Sequence, residues 1–203
     1  MAIFNTLLMQ NIQFYFKNII LFGSMAIAFS LIGFLLEEKI SPHDPLPSAT
    51  IEHIIGHIIW GFLAALASKR IRYIVLCGIF AIVLDVDHLA NFIGFDLVSR
   101  MGHSLTFAII SATVLIIANK RDYILGSVVI GAIFSHVSFD IFLKGSDAFP
   151  LFSPFNNEII YLQNFDWAML QIFSFLFIWV VTLKFTNMKK QNEYKKENKK
   201  ENK

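Results

Sequence analysis

Cysteine is nearly absent from this chain. Cys77 is the single one among 203 residues, so no intramolecular disulfide can form and no cysteine-built zinc or iron–sulfur site exists. Proline is scarce as well: five residues, Pro42, Pro45, Pro47, Pro150 and Pro154, confined to the stretches 37–50 and 144–166. The long apolar runs therefore carry no helix-breaking ring. Charge is thin, with a net value of only +2. No A-x-A cleavage site follows the first apolar run, which favours a retained membrane span over a signal peptide.

What is present is apolar. Hydrophobic residues make up 56% of the chain and Phe occurs 22 times, where a soluble domain has roughly 45–50% apolar residues. Six apolar segments stand out, at 19–36, 51–68, 71–94, 103–118, 123–143 and 167–186. A span needs ~20 apolar residues, with ~17 as a lower limit. The first and last qualify outright, and the third, fourth and fifth only with their polar ends included. Lys17, Lys69, Arg70, Arg72, Lys120, Arg121 and the Lys-rich stretch 187–203 all fall on one set of connections, which the positive-inside rule places in the cytoplasm. Six crossings agree, because they put both termini on that side. The stretches 37–50, 95–102 and 144–166 then face outward, and Trp60, Trp167 and Trp179 serve packing or interface anchoring.

The histidines are not scattered. His53, His57, His88, His103 and His136 sit toward the same end of four of these segments, while His43 lies in the Pro-rich loop. Counting ~1.5 Å per residue from the nearest basic boundary puts His57, Asp85, His88, His103 and His136 roughly 18–26 Å away. That is the outer third of a ~30 Å hydrocarbon core. Histidine and aspartate are costly at such depth and mark function. His53 and His57 are four apart, as are His136 and Asp140, and each pair shares a helix face. Asp85 and His88 are three apart, whereas Asp87 points ~100° from His88 on an intact helix. Imidazole and carboxylate suit Zn, Mn or Fe. The set His57, Asp85, Asp87, His88, His103, His136 and Asp140, with His53 and Ser104 at its margin, offers ligands for two or three divalent ions, zinc first among them. Asp85 and Arg100 are the candidate catalytic residues, Arg100 as a bidentate phosphate clamp.

These motifs resemble a known family. Asp85-Val86-Asp87-His88 is similar to the D-x-D-H element of the YdjM/YbcI-type membrane-bound metal-dependent hydrolases. Arg100-Met101-Gly102-His103-Ser104 resembles their H-R-G-x-T-H-S element, and Phe134 to Asp140 their L-S-H-x-x-x-D element. Gly145 with 150–155 resembles G-x-x-x-L-F-P, and Gly56-His57 an early Gly-His. Two positions depart from the pattern: Leu84 replaces a Pro and Ser99 a His. The resemblance implies a metal-dependent phosphoester hydrolase on a helical scaffold, distantly related to zinc-dependent phospholipase C and S1/P1 nuclease.

The sequence therefore predicts an all-α, polytopic membrane protein, a bundle of about six transmembrane helices with a polar site at its outer face. Its parts are an N-terminal span and loop (1–50), a membrane-embedded core (51–186) and a disordered Lys-rich cytoplasmic tail (187–203). The expected partners are the lipid bilayer and a phosphoester or lipid-headgroup substrate, cleaved by a metal-activated water. The tail, lying on the other side from the site, is not expected to bind nucleic acid. The rival reading is a non-enzymatic membrane protein: a metal or proton transporter, or a structural protein with a degenerate metal site. The scarcity of acidic residues in the cytoplasmic half of the spans disfavours a continuous transport path.

Overall fold

Among the described residues, apolar runs fold into six helices, α1 (Ala2–Leu35), α2 (Ile51–Ala65), α3 (Ile71–Val83), α4 (Leu105–Ala118), α5 (Tyr123–Lys144) and α6 (Asp166–Glu201). The computed structural model describes residues 2–35, 50–87, 100–156 and 158–201. Thr50, Ser104 and Asp122 cap α2, α4 and α5, their side-chain oxygens accepting from the backbone N–H of His53, Phe107 and Leu125. Each satisfies a donor that the helix itself leaves unpaired. Gly145 closes α5 at φ +79°, a left-handed conformation that a Cβ would disfavour.

Helix α5 is the axis of the bundle. It packs against α2, α3, α4 and α6, while α1 lies against α3 and α4 at the edge. Small residues set these approaches. At the α2–α3 crossing, a Cβ on Gly61 would lie 2.7 Å from both the Cys77 carbonyl oxygen and the Gly78 Cα. The core between the helices is aromatic and aliphatic, with Phe22, Tyr73, Leu76, Phe80, Phe107 and Leu125 fully enclosed. The outer surface is apolar too, with Phe16, Ile109, Ile117, Met169 and Ile172 all exposed. That surface belongs in lipid.

Among the described residues, four helices are long and apolar enough to cross a membrane: Met9–Gly33, Ile51–Ser68, Tyr123–Lys144 and Asp166–Lys189. The other two apolar segments form shorter described helices. α3 has 13 residues and α4 has 14, or about 20 Å each at 1.5 Å per residue, short of a ~30 Å core. Both stop where polar residues begin. α3 tightens into a 3-10 turn, Leu84–Asp87, that holds Asp85. α4 is preceded by another, Met101–His103. Non-helical backbone at this depth is tolerated because it is enclosed by protein; Leu84 and Met101 are both buried.

α1 begins at Ala2, well ahead of the apolar run at 19–36. The outer stretch 144–166 holds a small antiparallel sheet, β1 (Ser146–Phe149) and β2 (Ile160–Gln163), with Phe149 opposite Ile160. Through the Lys-rich stretch, α6 continues as helix to Glu201. Lys, Glu and Gln are good helix formers, and extending an existing helix avoids the nucleation cost.

Candidate metal centre

Four elements bring their polar side chains to one point. α2 contributes His53 and His57, the turn after α3 contributes Asp85, the turn before α4 contributes His103, and α5 contributes His136 and Asp140. His53, His57, His103, His136 and Asp140 are all buried, and Asp85 is the most open member at 13% side-chain exposure. The Nε2 atoms converge: His57 lies 2.8 Å from His53, and His103 lies 2.9 Å from His136.

Two carboxylates sit between these pairs. Asp85 Oδ2 is 3.4 Å from His53 Nε2 and 3.6 Å from His57 Nε2, and its Oδ1 is 3.5 Å from His136 and 3.8 Å from His103. Asp140 Oδ1 is 3.6 Å from His57 and 3.8 Å from His53, and its Oδ2 is 3.4 Å from His136. Both oxygens of Asp85 thus face imidazole nitrogens, the placement of a ligand. The i,i+4 spacing of His53 with His57 and of His136 with Asp140 works as the helical period requires.

The donor set fits a cation. Hydrogen bonds between N and O run at about 2.7–3.2 Å. The seven nitrogen–oxygen contacts are longer, at 3.4–3.8 Å. Two ligand atoms each about 2.1 Å from one ion, at a tetrahedral angle, lie about 3.4 Å apart. Two buried carboxylates also need positive charge to balance them. Three overlapping groups meet the spacing for an ion: His53, His57 and Asp140; His57, Asp85 and His136; His103, His136 and Asp140.

One backbone contact orients the set. His136 Nδ1 donates to the Ala81 carbonyl at 2.6 Å. That carbonyl lies in the last turn of α3, where a helix leaves its acceptors unpaired. A carbonyl only accepts, so the proton is on Nδ1 and the Nε2 lone pair faces the cluster. His57 and His136 stack in parallel at 3.8 Å between ring centres. Phe139 packs against His53 and His57 and is itself walled by Trp60.

Of the candidates, the structure brings together His57, Asp85, His103, His136 and Asp140, and it adds His53 at full depth. His53 and His57 form one pair, so a residue at the sequence margin sits at the centre. His88, His43 and Ser99 lie outside the described residues, as does the side chain of Asp87. Ser104 caps α4. Arg100 is not an open phosphate clamp: it is buried, donates to Asp147 Oδ1 at 2.7 Å and to the Ala148 carbonyl at 2.9 Å, and lies over the Phe149 ring. Asp147 also takes Lys144 at 3.0 Å. Sequence reasoning missed Asp147. Its only signal was a carboxylate in a loop otherwise rich in apolar residues. Burial pushes its carboxyl up, but the hydrogen bond and charge of Arg100, with Lys144, more than offset this and hold it below the ordinary value.

No curated protein and no solved structure matches the chain. The sequence profile of the YdjM inner membrane protein family does match, over residues 49–199, with α1 lying ahead of the matched region. The chain, with its buried His/Asp cluster set in an apolar helical bundle, belongs to the YdjM inner membrane protein family.

Proposed function

We propose that the chain is a membrane-embedded, metal-dependent hydrolase whose substrate is a phosphoester of a lipid or lipid-linked phosphate. The observation that carries this reading is the convergence of four imidazole Nε2 atoms and two carboxylates on one buried point. A divalent ion held there would supply Lewis-acid polarisation and make a water acidic at neutral pH.

The chain's own residues do the rest. His136, fixed by Ala81, presents a lone pair in a set orientation. His53, His57 and His103 complete the nitrogen donors, and the hard nitrogen–oxygen set suits ions that also bind phosphate oxygens. Phe139 and Phe149 close off the ring faces on the protein side. Asp85 marks the edge at which solvent and substrate reach the cluster. That edge lies at one end of an apolar bundle, which favours a membrane-borne substrate.

The test is elemental analysis of the detergent-purified chain together with phosphate release from lipid phosphates and soluble phosphoesters. Metal-dependent hydrolysis is expected, and His136→Ala should lower it by on the order of 100-fold or more, since even the groups that orient a ligand matter 10–100-fold. A metal-free wild-type protein, or a variant as active as wild type, would sink the reading.

A further inference from the structure

We propose that the end of the bundle opposite the His/Asp cluster binds anionic phospholipid, gripping its headgroup with the two short connections 66–70 and 119–122. The proposal does not rest on the metal-binding reading. The connection between α2 and α3 carries Lys69 and Arg70. The one between α4 and α5 carries Lys120, Arg121 and one carboxylate, Asp122. Tyr73 of α3 ties the two together, its hydroxyl donating to the Asp122 carboxylate with the oxygens at 2.9 and 2.7 Å. Arg72 lies 3.7 Å from the same carboxylate, which also caps α5 through the Leu125 N–H. The one negative charge of the two connections is thus already engaged. Among the described residues, Lys69, Arg70, Lys120 and Arg121 form no ion pair with a carboxylate.

Local folding does not account for these cations. Lys69, Lys120 and Arg121 hold left-handed backbone, at φ +53°, +56° and +66°, where glycine fits at lower cost. Helix dipoles do not account for them either. Each connection joins the negative end of one helix to the positive end of the next, and partial charges of about one half cancel. The surface beside the cations decides the kind of anion. Ile71, between Arg70 and Arg72, is 73% exposed, and Ile117, in the last turn before Lys120, is 72% exposed. The candidate spans Ile51–Ser68 and Tyr123–Lys144 end and begin at these same connections. Cations set directly on an exposed apolar flank match an amphiphile: a phosphodiester for the guanidinium and ammonium groups, and acyl chains for Ile71 and Ile117. A soluble anion would use the cations alone.

The experiment incubates the full-length protein in detergent with phosphatidylglycerol or phosphatidylcholine at equal mole fraction. Native mass spectrometry counts the lipid retained, and thermal melts read stability. Phosphatidylglycerol should be retained at least about 20-fold over phosphatidylcholine, since each basic residue near the surface is worth about five-fold in anionic-lipid affinity. It should also raise the melting temperature more. Arg70→Gln combined with Arg121→Gln should lower the preference by an order of magnitude or more. Lys199→Gln combined with Lys200→Gln removes the same charge from the end of α6 and should leave the preference unchanged. Equal retention of the two lipids by the wild type overturns the proposal, and so does a preference that follows the α6 lysines instead of Arg70 and Arg121. Inorganic phosphate that raises the melting temperature as much as phosphatidylglycerol does would mean a site for soluble anions and would also overturn it. The wild-type comparisons decide even if a variant fails to fold.

Discussion

At the scale of single residues, the centre depends on groups that hold its ligands still. Among the described residues, His136 alone of the four histidines has a hydrogen-bond acceptor on its outer nitrogen, the Ala81 carbonyl. Arg100 and Asp147 do similar work one layer out. The pair ties the turn that carries His103 to β1, and Phe149 of that strand lies beside the His103 ring. Removing one partner of a buried ion pair leaves the other charge uncompensated, so Asp147→Ala should destabilise by about 3 kcal/mol or more. Its pH dependence has a definite sign. The folded-state carboxyl lies below its ordinary value. Its stabilisation is therefore complete at pH above ~4 and is lost as pH falls through the lower folded value. Thermal melts of wild type and Asp147→Asn should differ at pH 7, and the gap should narrow below pH ~4. A gap that stays constant down to pH 3 would mean that the charge of Asp147 contributes nothing.

At the scale of elements, the candidate metal centre is only as well placed as the helices that carry it. His53 and His57 ride on α2, which meets α3 through Gly61 and Gly78. A methyl group on Gly61 would press on the backbone of Cys77 and Gly78, which cannot rotate away. Gly61→Ala should therefore cost about 1–3 kcal/mol and weaken metal retention. Gly126→Ala on α5 is the control. There the Cβ meets the end of the Ile116 side chain, which can move, and alanine is the better helix former. Melting curves in detergent check both, and equal melting temperatures for Gly61→Ala and wild type would remove the close-crossing argument. The helices, the His53–His57 pair and the His136–Asp140 pair were legible in the sequence because they rest on local periodicity: apolar runs, and partners four residues apart. The shortness of α3 and α4 was less so. It depends on a switch to 3-10 geometry at Leu84–Asp87 and Met101–His103, stabilised by packing that no local pattern encodes. The Ala81 acceptor was invisible for a simpler reason, since any residue has a carbonyl. Asp147 needed the β1 pairing to bring it to Arg100, and that pairing is non-local.

At the scale of the whole molecule, polar chemistry is divided between the two ends of the bundle. One end holds the His/Asp cluster. The other gathers basic and amide side chains: Lys17 and Asn18 of α1 bond to Asn119 after α4, and Arg72 and Tyr73 of α3 engage Asp122 ahead of α5. The basic end also receives Lys69 and Arg70 between α2 and α3, and Lys120 and Arg121 between α4 and α5. The positive-inside rule favours the cytoplasm for such an end, and we propose on that ground that the cluster faces outward. The orientation can be tested on α6 alone. Its apolar stretch Asp166–Lys189 has 24 residues, or about 36 Å of helix, enough for one crossing of a ~30 Å core. Tyr161 lies just before it, is 75% exposed and belongs to the site end; Lys195 lies beyond it in the basic tail. Cys77 is fully buried and should give no background labelling. A membrane-impermeant thiol reagent should therefore label Tyr161→Cys in intact cells and Lys195→Cys only after permeabilisation. The opposite pattern would place the candidate metal centre on the cytoplasmic face and give the proposed hydrolase a different substrate pool. Labelling of both from one side would mean that α6 does not cross the membrane.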